Sequence, residues 1–162
     1  MDIVLINQYL KEGKITVEPL LDEKQIQPSF NRHFRKMKTR AFGKICESVV
    51  SKWLSQKGYK ILSRNFTIRG GELDIVAIDG DTLAFIEVKA RHAGYDSAKY
   101  GRPSRAVDYL KRQRVALAAQ AFLRQYPSKR HKRFDVIEVI VDEQPTYTSF
   151  EIKHIKSAFS AR

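Results

Sequence analysis

Cysteine is almost missing from the chain: Cys46 is the only one in 162 residues. That excludes an internal disulfide, and no cysteine–histidine cluster has the spacing of a zinc site. Long apolar runs are missing as well. No stretch approaches the roughly 20 residues of a membrane span, and no basic segment followed by an apolar core opens the chain as a secretory leader would. There is no internal repeat and no low-complexity tract. These absences point to a cytoplasmic protein that folds without cross-links, with Cys46 expected as a core residue of a helix. Negative charge is also scarce, with 18 acidic residues against 30 basic ones and a net charge of +12. A balance that basic favours a polyanionic partner, nucleic acid ahead of a membrane surface.

What is present is enough apolar material, 43% of residues, for one globular domain with a real core. Its organising stretch runs from Gly71 to Arg91. Two runs with strand character, Glu72–Ile78 and Leu83–Arg91, flank the turn-forming cluster Asp79-Gly80-Asp81. That is the pattern of a β-hairpin. Its apolar runs are interrupted by Asp74, Glu87 and Lys89, where burial without partners would cost several kcal/mol.

Register decides what these charges can do. With Gly80-Asp81 as the two loop residues, or with a loop from Asp79 to Thr82, Asp74 falls opposite Glu87 and Val76 opposite Phe85. A turn on Asp79-Gly80 makes Asp74 and Glu87 diagonal neighbours, and only a three-residue loop sends them to opposite faces. Glu87 and Lys89 share a face in every case. Two carboxylates so close repel unless a cation or a proton lies between them. A hard divalent ion such as Mg²⁺ suits such a pair, and with Lys89 beside a bound water the chemistry would be phosphodiester hydrolysis. The competing reading is a salt-bridged cluster on a half-exposed sheet.

Asp74, a hairpin and Glu87-Val88-Lys89 resemble the D…E-x-K core of the PD-(D/E)-x-K nucleases, whose fold is that of the restriction endonucleases. A wider set is similar to the YraN family, relatives of archaeal Holliday-junction resolvases: Gly43, Glu47, Gly58-Tyr59, Arg64-Asn65, Gly71-Glu72, Arg91, Arg133-Phe134-Asp135 and Ala158-Phe159. The likeness runs from about Arg40 to Phe159, with Leu73 in the place of the superfamily's nominal proline. It implies Asp74, Glu87 and Lys89 as catalytic residues, Asp74, Glu87 and the helix residue Glu47 as ligands of Mg²⁺ or Mn²⁺, and a homodimer, since the resolvase relatives work as symmetric dimers.

The flanking segments complete the expectation. Met1–Lys14 is expected as a short helix, followed by an extended Ile15–Leu21. The segment from Ile6 to Ser29 is similar to the opening of dCTP deaminases, but none of that family's catalytic residues follow. Asn31–Arg40 reads as a basic linker, so the chain divides into an N-terminal extension, 1–38, and an endonuclease-like domain, 39–162. From Thr39, apolar residues recur at helical spacing until Gly58. Tyr59–Phe66 reads as a strand, and Gly70-Gly71 as a turn or a close backbone approach. His92 reads as an exposed loop residue. Residues 94–104 form a glycine- and tyrosine-bearing loop with Lys99 and Arg102.

A second helix is expected from Pro103-Ser104 to about Tyr126, with Val107, Leu110, Ala118, Ala121 and Phe122 inward. Its other face would carry Arg105, Lys111, Arg112 and Arg114. With Arg64, Arg91, Lys99 and Arg102 these are the candidate nucleic-acid contacts. The family resemblance further implies that Lys111 reaches the site, since YraN-like members commonly keep a lysine there. Phe134–Val141 is apolar on both faces, as in an interior strand. Asp135 is a candidate third acid, with pairing to Arg133 or a backbone amide the favoured reading. Thr148–Lys153 reads as a last strand and Ile155–Phe159 as a short closing helix. The expected fold is α/β: helix, three strands, helix, two strands, with a mixed sheet flanked by helices. The expected function is metal-dependent cleavage of structured or branched DNA. A non-catalytic nucleic-acid-binding protein on the same fold is the alternative.

Overall fold

In the computed structural model the described residues are 6–11, 14–19, 39–93, 109–143 and 148–160. They form seven strands and two helices. β1 (Ile6–Lys11) and β2 (Lys14–Pro19) precede α1 (Thr39–Gln56), β3 (Lys60–Ile68), β4 (Gly71–Asp79) and β5 (Thr82–His92). Then come α2 (Tyr109–Gln125), β6 (His131–Glu143) and β7 (Thr148–Phe159). The strands make one sheet in the order β1-β2-β7-β6-β5-β4-β3.

Only β5 and β6 are parallel, and α2 lies between them in the chain, as a parallel pair requires of its connection. The sheet is mixed, with β5 and β6 at its centre. From α1 onward the order of elements is the one expected, apart from the closing helix.

Each helix covers one face. Alternate residues of β5 go to different cores: Ala84 and Ile86 pack with Phe42, Cys46, Val50 and Leu54 of α1, whereas Leu83 and Phe85 pack with Val115, Ala118, Ala119 and Phe122 of α2. Each large apolar side chain buried this way contributes about 1.5–3 kcal/mol. Cys46 is fully buried in the α1 core as expected, and burial pushes its thiol up to about 12. Gly58 ends α1 with φ +86°, the left-handed conformation that glycine adopts without cost.

Three local expectations fail. Met1–Lys14 does not form a helix across its described part, because Ile6–Lys11 is a strand paired antiparallel with Lys14–Pro19, and β2 in turn pairs with β7. A helix this short is marginal in water, and the hydrogen bonds offered by the edge of β7 outweigh it. The extended conformation expected after it is seen as far as Pro19.

Ile155–Phe159 is also strand, continuing β7 along the long edge of β6. A bulge opposite Asp135 and the positive φ of Ser157 bend it, and that irregularity disguises the strand pattern. Leu110, expected inside, is 63% exposed, and Val107 lies outside the described residues. The inward stripe of α2 is Val115, Ala118, Ala119 and Phe122, and one turn before Val115 the same stripe passes through Lys111 rather than Leu110.

Candidate functional site

The hairpin register puts Asp79 opposite Thr82 and Val76 opposite Phe85, so Gly80-Asp81 are the loop residues. The regular ladder stops at Ile75–Ile86. Leu73 and Val76 both belong to the α2 core although they are three residues apart, so the alternation of β4 slips once between them. Asp74 stands at that slip. One further step of the register would bring it level with Glu87, and instead its Oδ2 accepts the Val88 amide at 2.8 Å. The hairpin thus opens where the two carboxylates meet.

Glu87 is 3% exposed. Its Oε1 lies 2.8 Å from Lys89 Nζ and 3.1 Å from Lys111 Nζ, while Oε2 is buried with no hydrogen-bond partner among the protein groups. Burial first, and the Glu87 charge second, push the Asp74 carboxyl up to about 7 against the opposing Val88 amide and Lys111. Glu47 reaches the same place from α1. Burial raises its carboxyl, with the charges of Glu72 and Glu87 adding and Asn65 and Arg64 opposing, and its Oε2 also has no partner. Arg64 donates to Ser48 Oγ on α1 at 2.7 Å, next to Glu47. Asn65, at φ 53°, occupies the left-handed conformation that asparagine tolerates.

Lys111 reaches the site, as the resemblance implied, but leaves the outer face on which it was expected. Instead of sharing an outer face with Arg112 and Arg114, it turns inward and bridges Glu87 to Glu72 Oε1 at 2.8 Å. Its ammonium is stabilised further: desolvation works against it, but the Glu72 hydrogen bond and the Glu87 charge outweigh that. Arg112 lies over the Phe159 ring and Arg114 is exposed. Arg91 Nε sits 2.9 Å from Glu138 Oε1, an ion pair without hydrogen-bond angles. His92 is not an exposed loop residue but the end of β5, stacked on Phe42 at 4.3 Å. Lys99, Arg102 and Arg105 lie outside the described residues.

Sequence reasoning missed two carboxylates on this side of the molecule. Glu72 directly precedes Leu73-Asp74, and Glu138 is aligned with Lys89 in the parallel ladder. Glu138 carried the signal that singled out Glu87, a charge inside an apolar strand. Asp135, by contrast, is where it was expected: fully buried, it accepts from Arg133 Nε at 2.9 Å and from the Ser157 amide at 2.9 Å, with His154 beside it.

Among the described residues no three His, Cys, Asp or Glu side chains form a ready cage for an ion. The donor chemistry nevertheless suits a hard cation. Glu47, Glu72, Asp74 and Glu87 come together here with Lys89 and Lys111 paired to them and Arg64 and Arg114 nearby, and two of their buried oxygens lack a protein partner. A cluster of carboxylate oxygens, some of them unpartnered, is what Mg²⁺ or Mn²⁺ binds.

Fold and site together define the class: an α/β protein with a restriction-endonuclease-like core, its paired carboxylates and lysine at the opening of the central hairpin. Residues 46–139 match the family model described as "Uncharacterised protein family UPF0102", and the chain belongs to that family, the YraN family. It is 36% identical over 126 residues to a UPF0102 protein of Caldanaerobacter subterraneus, covering 77% of this chain and 99% of that one. A UPF0102 protein of Chlorobium chlorochromatii is 42% identical over 123 residues, 75% of this chain and 92% of the relative. One from Clostridium kluyveri is 42% identical over 119 residues, 72% and 92% of the two chains. Among the described residues no helix is long and apolar enough to cross a membrane.

Proposed function

We propose that the protein is a metal-dependent nuclease that hydrolyses phosphodiester bonds in structured or branched DNA. The observation that carries this reading is Glu87: buried, with one oxygen on two ammoniums and the other unpartnered, beside an Asp74 whose carboxyl is raised. Asp74, Glu87 and Glu47 would hold Mg²⁺ or Mn²⁺. Bound there, the ion supplies Lewis acidity toward a phosphoryl oxygen and lowers the pKa of a water. Lys89, held against Glu87, is the donor that orients the attacking water and meets negative charge as it develops on the phosphate. The Val88 amide fixes the direction of Asp74. The net charge of +12 favours the approach of a polyanion.

The test is cleavage of labelled four-way junction, flap, single-stranded and duplex DNA in Mg²⁺, Mn²⁺ or EDTA, by wild type and Glu87→Ala. Metal-dependent cleavage by wild type that disappears in the variant is expected. Binding without cleavage under every condition would instead make the chain a non-catalytic nucleic-acid-binding protein on a nuclease fold.

A further inference from the structure

Gly71 and Glu72 together seat α2 on the sheet. A Cβ on Gly71 would lie 2.4 Å from the Arg114 carbonyl oxygen and 3.2 Å from Ala118 Cβ, so the start of β4 passes directly beneath the helix. Three residues before Arg114, and therefore on a neighbouring side of the same turn, Lys111 reaches down to Glu72 Oε1 at 2.8 Å and Glu87 Oε1 at 3.1 Å. Glu72 stands at the rim, its side chain 59% exposed, and Glu87 on the floor, 3% exposed. Lys111 spans the interval between them. Glu87 holds Lys89 and Lys111 on the same oxygen, so a Lys111 that turns to another anion still leaves that carboxylate paired. The Lys111 ammonium lies between the exposed carboxylate at the rim and the buried one on the floor.

We infer that Lys111 is the residue that receives a backbone phosphate of the nucleic-acid strand at the carboxylate site, and that Glu72 is its positioning residue. The inference rests on the reading of this site as one that takes a nucleic-acid backbone. Glu72 keeps the long lysine side chain in one conformation across the cleft, and the close contact at Gly71 fixes the helix that carries it. An entering phosphate exchanges with the carboxylates for the Lys111 protons, and no covalent step is required.

The test measures binding of a labelled flap oligonucleotide in EDTA as a function of salt, for wild type, Glu72→Ala, Lys111→Met and the double variant. One lost phosphate contact lowers the slope of log affinity against log salt by about one. That drop is expected for Lys111→Met. Glu72→Ala should weaken binding in the wild-type background and change nothing in the Lys111→Met background, because Glu72 acts only through the lysine. Where wild type cleaves, Lys111→Met should also lower kcat about a hundredfold, the usual scale for losing one charge-stabilising donor.

An unchanged slope in Lys111→Met overturns the inference. So does a Glu72→Ala effect of equal size in both backgrounds, which would mark Glu72 as general electrostatics. The binding arms need no turnover, so absence of cleavage by wild type would sink the nuclease reading while the Lys111 slope still judged this one.

Discussion

Asp74 Oδ2 accepts a hydrogen bond from the backbone amide of Val88 at 2.8 Å, which ties the first carboxylate of the site to the residue beside the second. The contact depends on backbone, so it is set by the hairpin register and not by any side chain of β5. It holds Asp74 near Glu87 at an electrostatic cost.

That cost is measurable without any activity. The Asp74 carboxyl is raised to about 7, whereas an unfolded aspartate titrates near 3.9. The protonated form is therefore favoured by folding. Its stabilisation is fully present below about pH 4 and is lost as pH rises through the folded value. In EDTA, Asp74→Asn should melt above wild type at pH 8 and close to it at pH 3.5. Added Mg²⁺ should raise the melting temperature of wild type and leave the variant nearly unmoved. Equal melting curves at pH 8 would show that the carboxylate pair is not strained.

A second carboxylate pair answers pH in the opposite direction. Asp79 accepts from Arg133 at 2.8 Å, from Lys156 at 2.9 Å and from Tyr59 at 2.8 Å, and these donors hold its carboxyl well below the usual range. Asp135 is lowered too: burial opposes, but His154, Arg133 and the Ser157 amide outweigh it. Their stabilisation is present above about pH 4, the unfolded value, and is lost as pH falls through the depressed folded values. Asp135→Ala should cost roughly 1–3 kcal/mol in urea unfolding at pH 7, since the Ser157 amide loses its acceptor while Arg133 keeps Asp79. The same variant should bind DNA like wild type while folded, because the network lies on the α1 face with Tyr59, away from Lys89 and Lys111.

The single thiol offers a simple probe of the α1 core. Cys46 is fully buried and its thiol is pushed up to about 12, so almost no thiolate exists at neutral pH. Alkylation should be negligible in the folded protein and should follow the unfolding curve in urea. Rapid labelling in native buffer would mean that α1 opens locally.

The hairpin was legible because Asp79-Gly80-Asp81 admits few loops, and the register follows from the loop. Asp135 was legible because a buried acid next to an arginine has few alternatives. Lys111 was harder to place from periodicity: beside arginines at 112 and 114 it reads as part of an outer basic face, although it stands four residues before Val115 and seven before Ala118 on the inward stripe, and only the family resemblance pointed to the site. The strand at Ile155–Phe159 was hidden by its bulge. The β1–β2 hairpin depends on β7, more than 100 residues away in the sequence, and local propensity carries no trace of such a partner.

Two glycines near the site should respond oppositely to the same substitution. Gly43 lies inside α1 with nothing within 4 Å of an added Cβ, so Gly43→Ala should stabilise the protein by about 0.5–1 kcal/mol through helix propensity and lost unfolded-state entropy. At Gly71 the added methyl would meet the Arg114 carbonyl oxygen at 2.4 Å, and backbone cannot swing aside as a side chain can. Gly71→Ala must lift α2 from β4, with an overpacking cost of about 1–3 kcal/mol. Because α2 carries Lys111, the lifted helix should also weaken DNA binding, whereas Gly43→Ala should not. Urea unfolding and DNA titration of both variants check the pair; a Gly71→Ala protein as stable as wild type would mean that α2 is not seated as described.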